Sequence, residues 1–432
     1  MAETEGFEPS KELPLYTLSK RARSTTLPRL RVPFGLSRYA PRLIGYAPLA
    51  FLSLPRKRPN GMKALMKKIM LTLAALFALT SPAFGQDEEP ARSNSEAVAQ
   101  TKTHPSPNAI VDAAKPDEWM QIPAEDLLVM TLAPGSAGKP RQVIIQLMPA
   151  PFSQGWVSNI RTLARAKWYD GITVNRVQDN YVVQWGDADS EDPEKAKPLP
   201  EGLKMMDERD YVTTNWDITD AWMRSKTPVE LKALFAAGDD ATPRRVRDQI
   251  DPYLRADKYS QRQHFQLGWG FAQNGGVVHS KAWPVHCYGM VGVGRGYFPD
   301  TGSGAELYTV IGHAPRHLDR NIALVGRIIS GMEHLSSMTR GSGPLGFYTE
   351  EEAGLRTPIQ SIRVAADIPA EGGRPFYEYL STESESFAKY AEARANRRDP
   401  FFIKPAGGAD ICNIPVPVRK TQFVKYPPLD GE

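Results

Sequence analysis

Within residues 149–187 five short elements follow one another: Pro149-Ala150-Pro151, Asn159 with Leu163, Tyr169-Asp170-Gly171, Arg176-Val177, and Gln184-Trp185-Gly186-Asp187. Just upstream, in Arg141–Met148, Val143, Ile145 and Leu147 alternate with Ile144, Gln146 and Met148. One face of that run is wholly apolar, which predicts a strand. Asp126–Leu132 is a second such run, and Pro134-Gly135-Ser136-Ala137-Gly138 between them predicts a hairpin turn. Pro149-Ala150-Pro151 ends the strand. Ser153 is a candidate N-cap for a helix over 153–166, in which Val157, Ile160, Leu163 and Ala164 share a face while Asn159 and Arg161 point elsewhere. Tyr169-Asp170-Gly171 then turns the chain into a strand pair, Ile172–Val177 and Tyr181–Trp185, joined at Gln178-Asp179-Asn180.

Further short runs follow at Cys287-Tyr288-Gly289-Met290-Val291, Glu306-Leu307-Tyr308-Thr309-Val310, Val325–Ser330 and Pro358–Ala365, with a second short helix predicted over 331–337. Many short alternating runs between Gly-rich turns favour a mainly β fold closed into a barrel.

No element of 149–187 is specific alone, but their order resembles that of the cyclophilins. The later segments agree: Cys287–Val291 resembles the strand that lines the cyclophilin groove, and Gly302-Ser303 with Glu306–Val310 resembles the strand that follows it. Leu318-Asp319-Arg320-Asn321, then Val325-Gly326-Arg327 through Gly331-Met332, resemble the family's next segment. The resemblance spans residues 120–187 and 285–368. It implies a closed eight-stranded antiparallel barrel with a helix capping each open end. It also implies peptidyl-prolyl cis-trans isomerase activity on Pro-containing polypeptides, with no cofactor and no metal.

By place in the motif, the resemblance implies that Arg176 is the catalytic residue and that Gln184 binds substrate backbone. Tyr181, Val182, Val291, Gly292, Tyr308, His317 and Leu318 are the implied groove residues. Tyr181 stands where an aromatic residue is usual, Val182 where Met is, and Tyr308 for a Phe at the base of the pocket. Leu318 matches a pocket Leu, and His317 sits where Trp or His is common. Ile322 replaces a His, and Val291-Gly292 replaces Ala-Asn, so much of the rim departs from the family. Read without the resemblance, Arg176 could be a rim residue in an ion pair, Tyr181 and Tyr308 core aromatics, and Gln184 a partner for nearby backbone.

Other signals are weak. His313 and His317 have helical ligand spacing, but Pro315 between them disfavours a helix, and no metal site is expected. Gly292-x-Gly294-x-Gly296 lacks the βαβ surroundings of a dinucleotide site, and Gly302-Ser303-Gly304 is not a nucleophile elbow.

In 432 residues, 41% are hydrophobic, 24% are charged and the formal net charge is +4. Much of the basic excess lies before residue 70, and the rest of the chain is close to balanced, so no nucleic-acid partner is expected. Lys63, Lys67 and Lys68, the apolar run Ile69–Thr80 and the small residues Ser81–Gly85 describe a secretory signal peptide over 62–85, starting at Met62 or Met66. The run is short for a membrane span, although an uncleaved anchor is the alternative. A periplasmic monomer without a stable membrane span is expected. Residues 1–61 show no sustained period and read as a gene-start artefact or a disordered extension, and 86–115 as a disordered linker.

The cyclophilin-like domain is placed at 116–368, interrupted by an insertion at 188–284. Ala188–Gly202 reads as a charged, Pro-rich loop, and Thr227-Pro228-Val229-Glu230 as a helix start, with a further helix over 245–250. The insertion is therefore predicted to be partly helical, either a small lobe beside the groove or an elaborated surface loop. A C-terminal extension, 369–432, contains a helix from Ser384 with Phe387, Tyr390 and Ala391 on one side. Cys287 and Cys412 are the only cysteines, and in an exported chain they are expected to pair and tie the tail to the barrel.

Overall fold

The computed structural model describes residues 104–135, 138–214, 249–254, 257–275 and 280–422. The segments read as 1–61 and 62–85 lie outside them, as does most of 86–115. No helix among the described residues is long and apolar enough to cross a membrane.

The first element is a short helix, α1 (Pro107–Asp112). Ser106 Oγ accepts from Ala109 N (3.2 Å) and Pro107 stands in the first turn. The linker reading of 86–115 does not hold here, because Ile110, Val111 and Ala114 pack against a buried cluster built on Phe387 and Ala391. Then come β1 (Trp119–Gln121), β2 (Leu127–Leu132) and β3 (Arg141–Leu147). β2 and β3 form the expected hairpin, in register from Leu132↔Arg141 to Leu127↔Gln146.

Helix α2 (Gln154–Arg165) buries Trp156, Val157, Ile160, Leu163 and Ala164 against the barrel core. Two details differ from the sequence reading. Ser153 takes the N-cap place with left-handed backbone (φ 55°), and its hydroxyl makes no capping bond. Asn159 does not point outward: it is buried, and its amide bonds both the carbonyl and the N–H of Lys204 (2.9 and 2.8 Å) and the Ser303 carbonyl (3.1 Å). A polar side chain on an otherwise apolar face here anchors the start of the insertion.

β4 (Thr173–Val177) and β5 (Val182–Gly186) pair next, with an irregularity between Val174 and Arg176. The insertion supplies β6 (Thr213–Thr214), β7 (Arg262–Gln266), β8 (Trp269–Asn274) and β9 (Lys281–Pro284), a four-stranded sheet in the order β6-β9-β8-β7. The sequence reading named none of these four strands, and the partly helical character it expected is present in short helical turns at Glu208–Tyr211 and Asp251–Tyr253 among the described residues. The helix from Thr227 lies outside them, as does 245–248, while Gln249 and Ile250 are helical. The β7–β8 turn is two residues, Leu267-Gly268, both at positive φ (53° and 77°). That is the backbone of a tight hairpin turn, for which Asn-Gly is the usual signal, and Leu at its first position concealed it.

β10 (Met290–Val293), β11 (Leu307–Val310), β12 (Leu324–Ser330), α3 (Met332–Ser336) and β13 (Ile359–Val364) complete the barrel. Its strand order is β13-β2-β3-β12-β10-β11-β5-β4, every neighbouring pair antiparallel. It closes through Ile359 N to Ile172 O (2.8 Å), Gly171 N to Ile359 O (2.9 Å) and Val174 N to Thr357 O (3.0 Å). A mainly β, eight-stranded closed barrel with two short helices is what the sequence reading expects.

The C-terminal extension adds β14 (Phe376–Leu380), α4 (Glu385–Ala395) and β15 (Val418–Thr421). β14 pairs with both β1 and β15, so the tail shares a sheet with the start of the domain. α4 begins at Ser384, whose hydroxyl accepts from Phe387 N, and buries Phe387, Tyr390 and Ala391 as predicted. Cys287 and Cys412 form a disulfide.

Candidate functional site

Register places the site. Arg176 lies opposite Gln184, Gln184 opposite Tyr308, and Tyr308 opposite Gly292, so one row crosses β4, β5, β11 and β10. Residues directly opposite share a face of a sheet, and neighbours along each strand take the other. The alternate positions Val183, Val291 and Leu307 belong to the barrel core, which leaves the row on the outside. Val291, implied as a groove residue, is therefore corrected: it pairs with Thr309 and packs inside the barrel.

Around the row, Val182, Tyr308 and Val310 form a separate buried cluster, with Tyr181, Leu318 and Ile322 packed half-buried against it. The apolar residues implied as the pocket are thus brought together. His317 is not among them: it is exposed on the short turn Arg316–Leu318. His313 is exposed as well, and its backbone N–H donates to Asn180 Oδ1 (3.0 Å).

Arg176 is held from three sides. Its Nη1 donates to Gln184 Oε1 (2.9 Å), its Nε to the Leu345 carbonyl (2.7 Å) and its Nη2 to Gln178 Oε1. The guanidinium carbon lies 5.5 Å from the Tyr181 ring centroid and 5.3 Å from that of Phe347. Burial depresses its basicity, although a guanidinium remains charged across the accessible pH range. Gln184 in turn donates to Glu306 Oε1 (2.5 Å). Burial raises the Glu306 carboxyl above its usual range, against the lowering effect of that hydrogen bond. A cavity of about 160 Å³ opens beside Glu306, with Asp187, Asp300 and Lys204 in its wall.

A fixed cation at the edge of an apolar cluster, with a carboxamide braced beside it, can bind an extended peptide and donate to a nitrogen lone pair. Among the described residues no group of three or more His, Cys, Asp or Glu is gathered to hold a metal ion. Residues 143–364, just over half of the chain, match the family described as cyclophilin type peptidyl-prolyl cis-trans isomerase/CLD.

The chain belongs to the cyclophilin family.

Among solved structures it is similar to the cyclophilin AquaCyp293 of Hirschia baltica, with 18% identity and a TM-score of 0.47, covering 75% of this chain and 98% of that one. It is also similar to a cyclophilin-type peptidyl-prolyl cis-trans isomerase of Cryptosporidium parvum solved in the presence of the dipeptide Ala-Pro, with 10% identity and a TM-score of 0.29, covering 55% and 97%. No curated protein matches the chain in sequence.

In this cyclophilin, sequence reasoning found Arg176, Gln184, Tyr308 and their apolar neighbours, but missed what braces them. His286 is fully buried, with Nε2 3.0 Å from the Tyr308 hydroxyl and Nδ1 2.8 Å from Asp319 Oδ1. The Leu345 loop reaches the site through an isolated bridge between Phe347 and Arg176. Neither carries a sequence motif. The one available cue for His286 was a histidine immediately before a strand expected to line the groove.

Proposed function

We propose that this cyclophilin is a peptidyl-prolyl cis-trans isomerase acting on X-Pro bonds of exported polypeptides as they fold. The observation that carries the reading is the row Arg176-Gln184-Tyr308-Gly292, with its guanidinium fixed at the edge of an apolar cluster. Rotation about a peptide bond is opposed by about 18–20 kcal/mol of amide resonance. As the bond twists, the prolyl nitrogen becomes pyramidal and exposes a lone pair. An Arg176 N–H donating to that lone pair stabilises charge distribution that exists only in the transition state. Val182, Tyr308, Leu318 and Ile322 would hold the proline ring away from water, and Gln184 would fix the substrate backbone. The acidic wall of the cavity beside Glu306 suits a cationic side chain flanking the proline.

The exported setting rests on the signal-like segment 62–85 and on the Cys287–Cys412 disulfide, which an oxidising compartment sustains.

One observation favours a second reading, a groove that binds proline peptides without turning them over. Arg176 is 4% exposed, and all three of its nitrogens already have partners within the protein. A protease-coupled isomerisation assay on the mature chain and on Arg176→Ala separates the two. The isomerase reading expects catalysis by the mature chain and a loss of about 10²–10³-fold in kcat/KM on removing the guanidinium. Equal rates for both proteins, no faster than the uncatalysed reaction, would leave only the binding groove.

A further inference from the structure

The base of the apolar cluster is a tyrosine whose hydroxyl is buried, and a buried hydroxyl needs a partner. The Tyr308 hydroxyl finds it in His286, 3.0 Å away across β10, with the two rings nearly parallel at 10°. Gly292 makes the reach possible: a Cβ there would land on the Tyr308 hydroxyl and ring. The direction of the bond follows from what lies behind it. Asp319 Oδ1 accepts from both the backbone N–H of His286 (3.0 Å) and its Nδ1 (2.8 Å), while Oδ2 accepts from Arg316 Nε (2.7 Å). Burial alone would raise the Asp319 carboxyl, but the bonds from His286 and Arg316 outweigh it and keep it ionised. Burial keeps the His286 imidazole neutral. An ionised carboxylate only accepts, so Nδ1 carries the proton and Nε2 is left to accept from Tyr308.

The chain of partners continues out of the barrel. Arg316 Nη1 donates to Asp257 Oδ2 (2.7 Å), which also accepts from Gln263 Nε2 (2.5 Å). Asp257 and Gln263 both belong to the insertion, Gln263 on β7.

We propose that His286 is a positioning residue, which fixes the Tyr308 ring at the floor of the groove through the hydroxyl bond. Asp319, Arg316 and Asp257 extend that brace into the insertion, so the insertion is part of the groove's support rather than a surface elaboration. The catalytic consequence rests on the isomerase reading above; the hydrogen-bond direction and the brace do not.

Two measurements on the mature chain test it. In the isomerisation assay, Tyr308→Phe and His286→Gln should each lower kcat/KM about tenfold, the worth of one hydrogen bond. In the Tyr308→Phe background the His286→Gln change should then have no further effect. Asp257→Asn, which removes only a charge at the far end, should lower kcat/KM in the same direction. Independent, multiplying losses in the double variant, or no loss in either single variant, would overturn the proposal. The second measurement needs no catalysis and uses no variant at His286. Imidazole nitrogen NMR should show His286 as the neutral Nδ1-protonated tautomer, with an Nε2 resonance that moves in Tyr308→Phe. An Nε2-protonated or cationic ring, or a resonance indifferent to Tyr308→Phe, would sink the brace. If the wild type does not isomerise proline, the isomerase reading fails alone and the NMR result still decides this one.

Discussion

Arg176 is positioned by bonds from three different stretches of chain, and only one of them, Gln184, is its cross-strand neighbour. Gln178 lies two residues on, and Leu345 belongs to a loop more than one hundred and fifty residues away in sequence. The Arg and Gln were legible because both keep their places in the order of motifs that resembles the cyclophilins, and the structure sets them opposite each other on one strand pair. Val291 was misassigned although a period of two puts Gly292 on the groove face and therefore Val291 on the other. His286 could not be read, because its meaning comes from Tyr308, 22 residues away, and Asp319, 33 residues away. At this scale the close approach at Gly292 gives a sharp expectation. Gly292→Ala should destabilise the protein by roughly 1–3 kcal/mol, the cost of overpacking a closed site. Urea unfolding will measure it, and a Tyr308→Ala background should remove most of the penalty. A penalty unchanged by that background would mean that Gly292 is needed for another reason.

Among the elements, barrel strands such as β3 were legible because a short run between turn residues carries one wholly apolar face, Val143, Ile145 and Leu147, that packs in the barrel core. The four strands of the insertion were not, because their hairpin turn is Leu-Gly and its flanking runs carry buried polar residues such as His264 and Gln266. The two helix caps show how local signals can succeed or mislead. Ser153 was read as an N-cap and makes no capping bond, whereas Ser384, read only as the start of a helix, caps it by accepting from Phe387 N at 3.1 Å. Ser384→Ala should cost about 1 kcal/mol. Ser153→Ala should stay within about 0.5 kcal/mol, because no capping bond is lost. Chemical denaturation of the two variants side by side checks the pair; equal costs would contradict the assignment.

Across the whole molecule the cyclophilin barrel is stapled to its own tail. The disulfide closes a loop of 125 residues between Cys287, beside the buried His286, and Cys412 in the C-terminal extension. In the chain-entropy picture a loop of that size is worth roughly 3–5 kcal/mol. Cys412→Ser, or reductant added to the wild type, should lower the unfolding free energy by that amount in guanidinium titrations. An unchanged midpoint would mean that the bond adds nothing to a tail already held by β14 pairing with β1. The sequence by itself determined a mainly β chain of short strands between turns, since alternation and turn residues act between near neighbours, and its resemblance to the cyclophilins pointed to the closed barrel and to Arg176 and Gln184. Only the tertiary structure decided the four-stranded sheet among the insertion's described residues, the folding of residues 107–112 onto α4, and the brace from Tyr308 to Asp257. Those depend on which distant groups share a buried space, and a buried polar atom takes whatever partner the fold brings within hydrogen-bond distance.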